Sequence, residues 1–391
     1  MSDLVVRRIG RLTSWAQPRL TDAAIVITDG RVEWVGADAD LPIGLADRPE
    51  LDVAGAAVLP GFVDAHTHAV WAGSRRDDVT GRLEGGDYTP AGIGSTVAAT
   101  RQASYGDLLA LATSRLREMR LHGTTTVEIK SGYGLTPDTE TRLLTVARDA
   151  AGTVGIDTST TYLGAHVVPD DRDRDGYVDE VIAQLPAAVE AGAQWCDVFC
   201  DEGAFTVDDA RRVLTSASEH SLGTRIHAEQ LSHTGAALLA AELGCASADH
   251  LDHVTAEDAR ALASAGVVGV LVPVASLYTR NNRWAHAAVL RDAGVTLAVA
   301  TDCNPGTAWC ESMPYAIQLA CLGMGLGIDE ALRAATLGGA KALRRGDIGQ
   351  LRVGARADLA VLASDHEADV VAHLGADAVA TTVVGGVVAS G

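Results

Sequence analysis

The chain has 391 residues, 47% of them hydrophobic and 4% aromatic; this is enough apolar material for a large packed core and too much length for one minimal domain. Lys and Arg total 31 against 51 Asp and Glu, a formal net charge of −20, and Lys130 and Lys341 are the only lysines, so no basic stripe can displace counterions from a phosphate backbone and nucleic acid is excluded as a partner. Met1-Ser2-Asp3-Leu4 opens no apolar signal segment, and no later stretch reaches the roughly 20 apolar residues that span a bilayer; no membrane association and a cytoplasmic location are expected.

The first 55 residues read as short strands, Asp3 to Arg8, Ala24 to Thr28 and Val32 to Val35, with Asp29-Gly30 as a hairpin turn. The last 45 read alike: Ala357 to Ala363, Ala378 to Val384 and Val387 to Val388 around Gly385-Gly386. Each end is too small to bury a core alone, so residues 1–56 and 347–391 are expected to form one small β-sandwich domain.

Between them, eight apolar runs alternate with helical stretches. The runs are Ala57 to Val63, Thr124 to Ile129, Thr158 to Leu163, Trp195 to Cys200, Thr224 to Ile226, Ala246 to Ala248, Val267 to Val272 and Val295 to Ala300. Leu108 to Leu121 and Ala256 to Ala265 carry apolar residues at three- and four-residue spacing, the mark of an amphipathic helix. The fold class predicted for residues 57–346 is α/β, a TIM-like (β/α)8 barrel. One connection, Ala69 to Ala103, is long and glycine-rich and is a candidate substrate loop. The six cysteines, Cys196, Cys200, Cys245, Cys303, Cys310 and Cys321, form no C-x-x-C pair and read as reduced core thiols.

Asp64-Ala65-His66-Thr67-His68 follows the first run. Residues at i and i+2 of a strand share a face, so His66 and His68 can offer two nitrogens to one ion. The fifth run ends in His227, the sixth in Asp249-His250 and the eighth in Thr301-Asp302, all at the strand ends where a barrel places its reacting groups. The remaining histidines outside this set, such as His122, His220 and His233, fall in helices or loops and read as solvated. His66, His68, His227 and Asp302 supply three nitrogens and one carboxylate, which suits Zn²⁺ or Fe²⁺ rather than Mg²⁺ or Ca²⁺. The fourth run ends Phe199-Cys200-Asp201-Glu202 without a lysine to carboxylate, so one divalent metal is expected, with Asp201 or Glu202 left open as a bridge to a second.

These residues resemble the amidohydrolase superfamily, through the P-G-F-V-D-A-H-T-H stretch from Pro60, the later His, His and Asp, and Gly354-Ala355-Arg356-Ala357-Asp358-Leu359. Further stretches are similar to the imidazolonepropionases of histidine degradation: Gly73-Ser74-Arg75, Glu128 to Leu135 (E-I-K-S-G-Y-G-L), Leu163 to His166 (L-G-A-H), His227 to Gln230 (H-A-E-Q), Ser247 to His250 (S-A-D-H) and Thr301 to Gly306 (T-D-C-N-P-G). The resemblance runs from about residue 55 to 365. It implies hydrolysis of 4-imidazolone-5-propanoate to N-formimidoyl-glutamate. In that reading Arg75 grips the propionate carboxylate, as a guanidinium suits an anion in an acidic protein. Tyr133 and His166 also touch the substrate, Gln230, Asn304, Gly306 and Thr307 line the ring end, and the chain pairs as a homodimer. The sequence departs from that pattern in the loop after Tyr88, at Val272-Pro273-Val274-Ala275, and at Ala308-Trp309-Cys310-Glu311.

The implied chemistry is attack of a metal-activated water on a ring carbonyl. Asp302 would carry the proton to the leaving nitrogen, and His250 would hydrogen-bond the developing oxyanion, its tautomer fixed by Asp249. Two other readings stay open: a heterocycle deaminase with the same metal set, and a non-catalytic metal-binding barrel. Also open is which neighbour of His227 meets the substrate. A regular strand would place Glu229 on the ligand's face, whereas the resemblance selects Gln230.

Overall fold

The computed structural model of the chain describes residues 3–86, 92–279 and 283–389. Eight parallel strands are hydrogen-bonded in chain order: Phe62–Asp64, Thr124–Lys130, Asp157–Ala165, Trp195–Cys200, Gly223–Ala228, Ser247–His250, Val268–Leu271 and Leu297–Val299. Most positions along them are buried, as strands covered on both faces require. Helices such as Tyr105–Leu121, Pro137–Val154, Val207–Glu219 and Ala256–Ala265 cover the outside, and the main hydrophobic core lies between the two layers. Ser104, Thr206 and Thr255 cap three of these helices, each in a reciprocal capping box with an Asp three residues on.

The first and last strands of the series are joined just beyond their ends. Asp302 N donates to His66 O at 3.0 Å and His68 N to Cys303 O at 3.0 Å, while Asp64 accepts from Thr301 N at 3.1 Å and from Thr301 Oγ1 at 2.6 Å. The seam that closes the barrel is thus made by the segments that carry three of the candidate metal ligands.

The run Ala57 to Val63, expected as one barrel strand, is two. Ala57–Pro60 pairs with Leu4–Leu12 and Leu359–Leu362 in a mixed sheet built from both chain ends, and only Phe62–Asp64 enters the barrel. Gly61 is the break: its N donates to Asp358 O at 2.9 Å, and a Cβ there would overlap the Thr125 side chain. Strands from both ends share one core, with Val6, Ile25, Leu359 and Val383 in it. Asp29 and Gly30 have φ of 47° and 75°, and Gly385 and Gly386 have 54° and 78°, the paired positive values that two-residue hairpins demand.

The long connection after the first barrel strand holds two helices, Arg76–Leu83 and Ile93–Gln102, where the sequence predicts loop. The buried stripe of the second is Ile93, Thr96, Val97 and Thr100; its helical spacing is hidden because two of the four side chains are threonines. Residues 87–91, which include Thr89, Pro90 and Ala91 of the departure noted after Tyr88, lie outside the described residues. Among the described residues no helix is long and apolar enough to cross a membrane, and all six cysteines are free, five of them buried.

Candidate active site

At the C-terminal mouth of the barrel, His66, His68, His227, His250 and Asp302 converge, each at most 3% exposed. Their potential ligand atoms form two groups that share His66: His66, His68 and Asp302, and His66, His227 and His250. His66 and His68 face inward as the i, i+2 spacing predicts, whereas Thr67 between them turns to the second strand, its Oγ1 donating to Glu128 O at 2.7 Å. Three of the strand ends bend sharply. Glu229, His250, Leu251 and Asp302 have φ of 55°, 80°, 65° and 54°, and such strain persists where surrounding contacts impose it.

The ring orientations suit a cation. His66 Nδ1 shares a hydrogen bond of 2.6 Å with Asp249 Oδ2, which leaves its Nε2 turned towards the other ligands; His227 Nδ1 lies 3.1 Å from Asp197 Oδ2, close enough for a charge contact but without hydrogen-bond alignment. His66 Nε2 and His68 Nε2 then stand 3.5 Å from Asp302 Oδ1, and His66 Nε2 is buried without a hydrogen-bond partner. A lone pair on His66 Nε2 and a carboxylate oxygen at that separation repel one another unless a cation lies between them, and His68 Nε2 is aimed at the same oxygen. Burial also holds His66, His68 and His250 well below the usual histidine range and pushes Asp302 well above the carboxylate range. The imidazoles are therefore in the neutral form that binds metal, and a divalent ion is what would keep Asp302 ionised. The Asp249 carboxylate, expected to orient His250, instead orients His66.

A small cavity opens over these groups, lined by His68, His227, His250 and Asp302 together with Arg75, Tyr133, His166, Gln230, Asn304 and Thr307. It brings together every predicted substrate residue except Gly306, which packs against the Arg75 guanidinium and lines a neighbouring depression with Arg75, Arg76 and Trp309. Arg75 is 5% exposed and its Nε donates to Asp78 Oδ2 at 2.6 Å. Tyr133 is presented by a loop whose Gly132, Gly134 and Leu135 amides all donate to the buried Glu140 carboxylate at 2.7–2.8 Å. The His166 ring lies 5.2 Å from that of His68, nearly parallel to it, and its Nδ1 meets Gly132 O at 2.9 Å; burial pulls its pKa down to about 3. The Asn304 amide is fully engaged by its own loop, donating to Asp302 O and Thr307 Oγ1 and accepting from Gly306 N and Thr307 N at 2.7–2.9 Å.

The chain turns immediately after His227, at Glu229. The Glu229 carboxylate points away to accept from Thr234 N, Gly235 N and Ala237 N at 2.7–3.1 Å, and Gln230 is the neighbour that reaches the cavity. Asp201, left open as a bridging ligand, is likewise committed to the loop, accepting from Gln230 N, Leu231 N and Ser232 Oγ at 2.7–2.9 Å. Sequence reasoning missed Phe199 and Ile93 in the cavity wall, as well as Glu128, Lys130, Asp197 and Arg225 inside the barrel. The signal for the last four was a charged residue within a short apolar strand, most plainly Arg225 two residues before His227.

Residues 57–389 match the amidohydrolase family. The chain is 44% identical over 338 residues to the imidazolonepropionase of Saccharopolyspora erythraea, covering 86% of this chain and 84% of that one. It is 46% identical over 319 residues to the imidazolonepropionase of Streptomyces avermitilis, covering 81% and 75%. Among solved structures it resembles a zinc complex of the atrazine chlorohydrolase of Arthrobacter aurescens, with a TM-score of 0.75 at 19% identity over 98% of this chain and 94% of that one. It also resembles an adenosine deaminase from Xanthomonas campestris with bound zinc, with a TM-score of 0.75 at 20% identity over 99% and 92%. These two likenesses concern the fold alone.

Proposed function

This chain belongs to the amidohydrolase family and, within it, to the imidazolonepropionases, and from that premise we propose that it opens the ring of 4-imidazolone-5-propanoate to N-formimidoyl-glutamate with one Zn²⁺ or Fe²⁺ per chain. The observation that carries the reading is a buried guanidinium, Arg75, sharing one cavity with His68, His227 and Asp302, which together with the fully buried His66 make up the cation-ready cluster. Metal storage alone has no use for Arg75, and a neutral heterocycle has no carboxylate to pair with it. Association as a homodimer rests on family membership alone.

A bound divalent ion would supply water activated at neutral pH by lowering its pKa from about 15.7 toward 7. His66, His68, His227 and Asp302 would hold that ion. Asp302 takes the proton of the attacking water and returns it to the departing ring nitrogen, a transfer for which its placement among neutral imidazoles suits it. His250, held neutral by burial, donates to the charge that develops on the carbonyl oxygen. Arg75 pairs with the propionate, with Tyr133 and His166 beside it. Gln230 both donates to and accepts from the ring's amidine edge. Asn304, Gly306 and Thr307 form the wall at the ring end, with Asn304 holding that wall in shape.

Incubating metal-replete protein with 4-imidazolone-5-propanoate while following ring absorbance, N-formimidoyl-glutamate and ammonia tests the proposal. Ring opening without ammonia is expected. No ring opening would refute the imidazolone as substrate and leave a close carboxylated analogue, a deaminase of an amino-substituted heterocycle, or a non-catalytic barrel.

A further inference from the structure

Beneath the candidate ligands, where a barrel of this type is ordinarily filled by Val, Ile and Leu, five charged side chains from four strands are packed: Glu128, Lys130, Asp197, Arg225 and Asp249, all fully buried. Burying ions costs several kcal/mol each unless partners compensate, so their arrangement needs a cause. Lys130 Nζ lies 2.7 Å from Asp197 Oδ2, 2.9 Å from Glu128 Oε1 and 3.7 Å from Asp249 Oδ2. Two of those oxygens are the same atoms that face the candidate ligands: Asp197 Oδ2 meets His227 Nδ1, and Asp249 Oδ2 meets His66 Nδ1.

We infer that Lys130 is a positioning residue that couples the two histidine–carboxylate pairs into one unit and so sets the metal affinity of the site. An ammonium has three protons and no acceptor, and here it has three carboxylates around it, from the second, fourth and sixth strands. Asp249 Oδ2 and Asp197 Oδ2 each face Lys130 on one side and a histidine Nδ1 on the other, an arrangement that favours the proton on Nδ1 of His66 and of His227 and leaves both Nε2 atoms as lone pairs, whereas Glu128 Oε1 is shared with Thr161 Oγ1. A planar guanidinium cannot point at three strands in this way, which accounts for a lysine here in a chain with only two. Arg225 adds its charge to Asp249 at 3.9 Å and donates to Ala65 O at 2.8 Å, but it pairs with neither Asp197 nor Glu128, so Lys130 alone bridges the two histidine–carboxylate pairs among the described residues.

The inference rests on the metal reading above, and its test reads metal affinity rather than turnover. Metal-free wild type, Lys130→Met and the charge-balanced Lys130→Met/Glu128→Gln are titrated with Zn²⁺ against a competing chelator, with folding followed by circular dichroism and urea midpoint. Outer partners of metal ligands are worth roughly 10–100-fold in affinity, and the zinc dissociation constant of a folded lysine variant is expected to rise by that factor. In an Asp197→Asn/Asp249→Asn background, adding Lys130→Met is expected to change it by less than about threefold, because the route through the carboxylates is already gone. Nitrogen NMR of histidine-labelled, metal-free protein is expected to show protons on Nδ1 of His66 and His227 in wild type and mixed tautomers in the variants. A folded lysine variant that binds zinc as wild type does overturns the inference. So does an undiminished effect in the double-carboxylate background, or failure of both lysine variants to fold. Wild type that binds no divalent ion overturns the metal reading and this inference with it, whereas tight zinc binding without ring opening leaves the inference standing and removes only the substrate.

Discussion

Replacing Arg75 with methionine keeps most of the side chain's bulk and removes its charge. Arg75 is 5% exposed, and its one ionic partner among the described residues is Asp78, whose side chain is 40% exposed, so a substrate carboxylate in the cavity would meet a guanidinium that water barely reaches. A hydrogen bond to a charged group contributes about 1.5–3 kcal/mol, which at about 1.4 kcal/mol per decade is roughly 10- to 150-fold in kcat/KM. The assay is a two-by-two comparison: wild type and Arg75→Met, each with 4-imidazolone-5-propanoate and with its uncharged propionamide analogue. The expected result is a roughly 10- to 150-fold loss on the acid and less than about threefold on the amide. Equal losses on both would show that Arg75 braces its loop, through Asp78 and the adjoining Gly306, and does not read the carboxylate.

Gln230→Ala is expected to lower kcat/KM roughly ten- to a hundredfold, since a buried ring group left unpaired costs about 1–3 kcal/mol. Glu229→Gln should change it several-fold at most while lowering the urea midpoint, because one of three loop amides loses its acceptor; the opposite ranking would put Glu229 in the site. Asp302→Asn should lose turnover by orders of magnitude with circular dichroism unchanged, and retained turnover would assign the proton transfer elsewhere. Burial pushes Asp358 up to about 6, above its unfolded value near 3.9, so the native state holds that proton more tightly and the corresponding stability, full below about pH 4, is lost as pH rises through 6. Asp358→Asn can still accept from Gly385 N, and its unfolding free energy relative to wild type should therefore improve by up to about 3 kcal/mol between pH 4 and pH 7. A constant difference across that range would show that Asp358 keeps an ordinary pKa.

The barrel and its ligands were legible in the sequence because the two signals reinforce each other: short apolar runs alternate with amphipathic helices, and His66, His68, His227, His250 and Asp302 all fall where those runs stop. What resisted reading were features decided across the barrel rather than along the chain. Asp249 sits next to His250 in sequence, yet strand pairing sets it beside His227 and its side chain reaches back to His66. Glu128, Lys130, Asp197 and Arg225 stand in strands with both faces buried, so no alternation distinguishes an inward charge from a solvated one. The Thr96 and Thr100 positions masked a helix, and Gly61 hid a change of sheet inside one apolar run. Gln230 was selectable over Glu229 only from resemblance, because a turn with positive φ at a non-glycine residue leaves no mark in a single sequence.

Turnover measured against metal content tests the central claim most directly. Metal-free protein is titrated with Zn²⁺, and in a parallel series with Fe²⁺ under anaerobic conditions, while the rate of 4-imidazolone-5-propanoate ring opening is recorded at each addition. The account predicts activity that rises linearly and stops at one ion per chain, with ring opening unaccompanied by ammonia. A break at two ions per chain, or ring opening at full rate in metal-free protein, would contradict it.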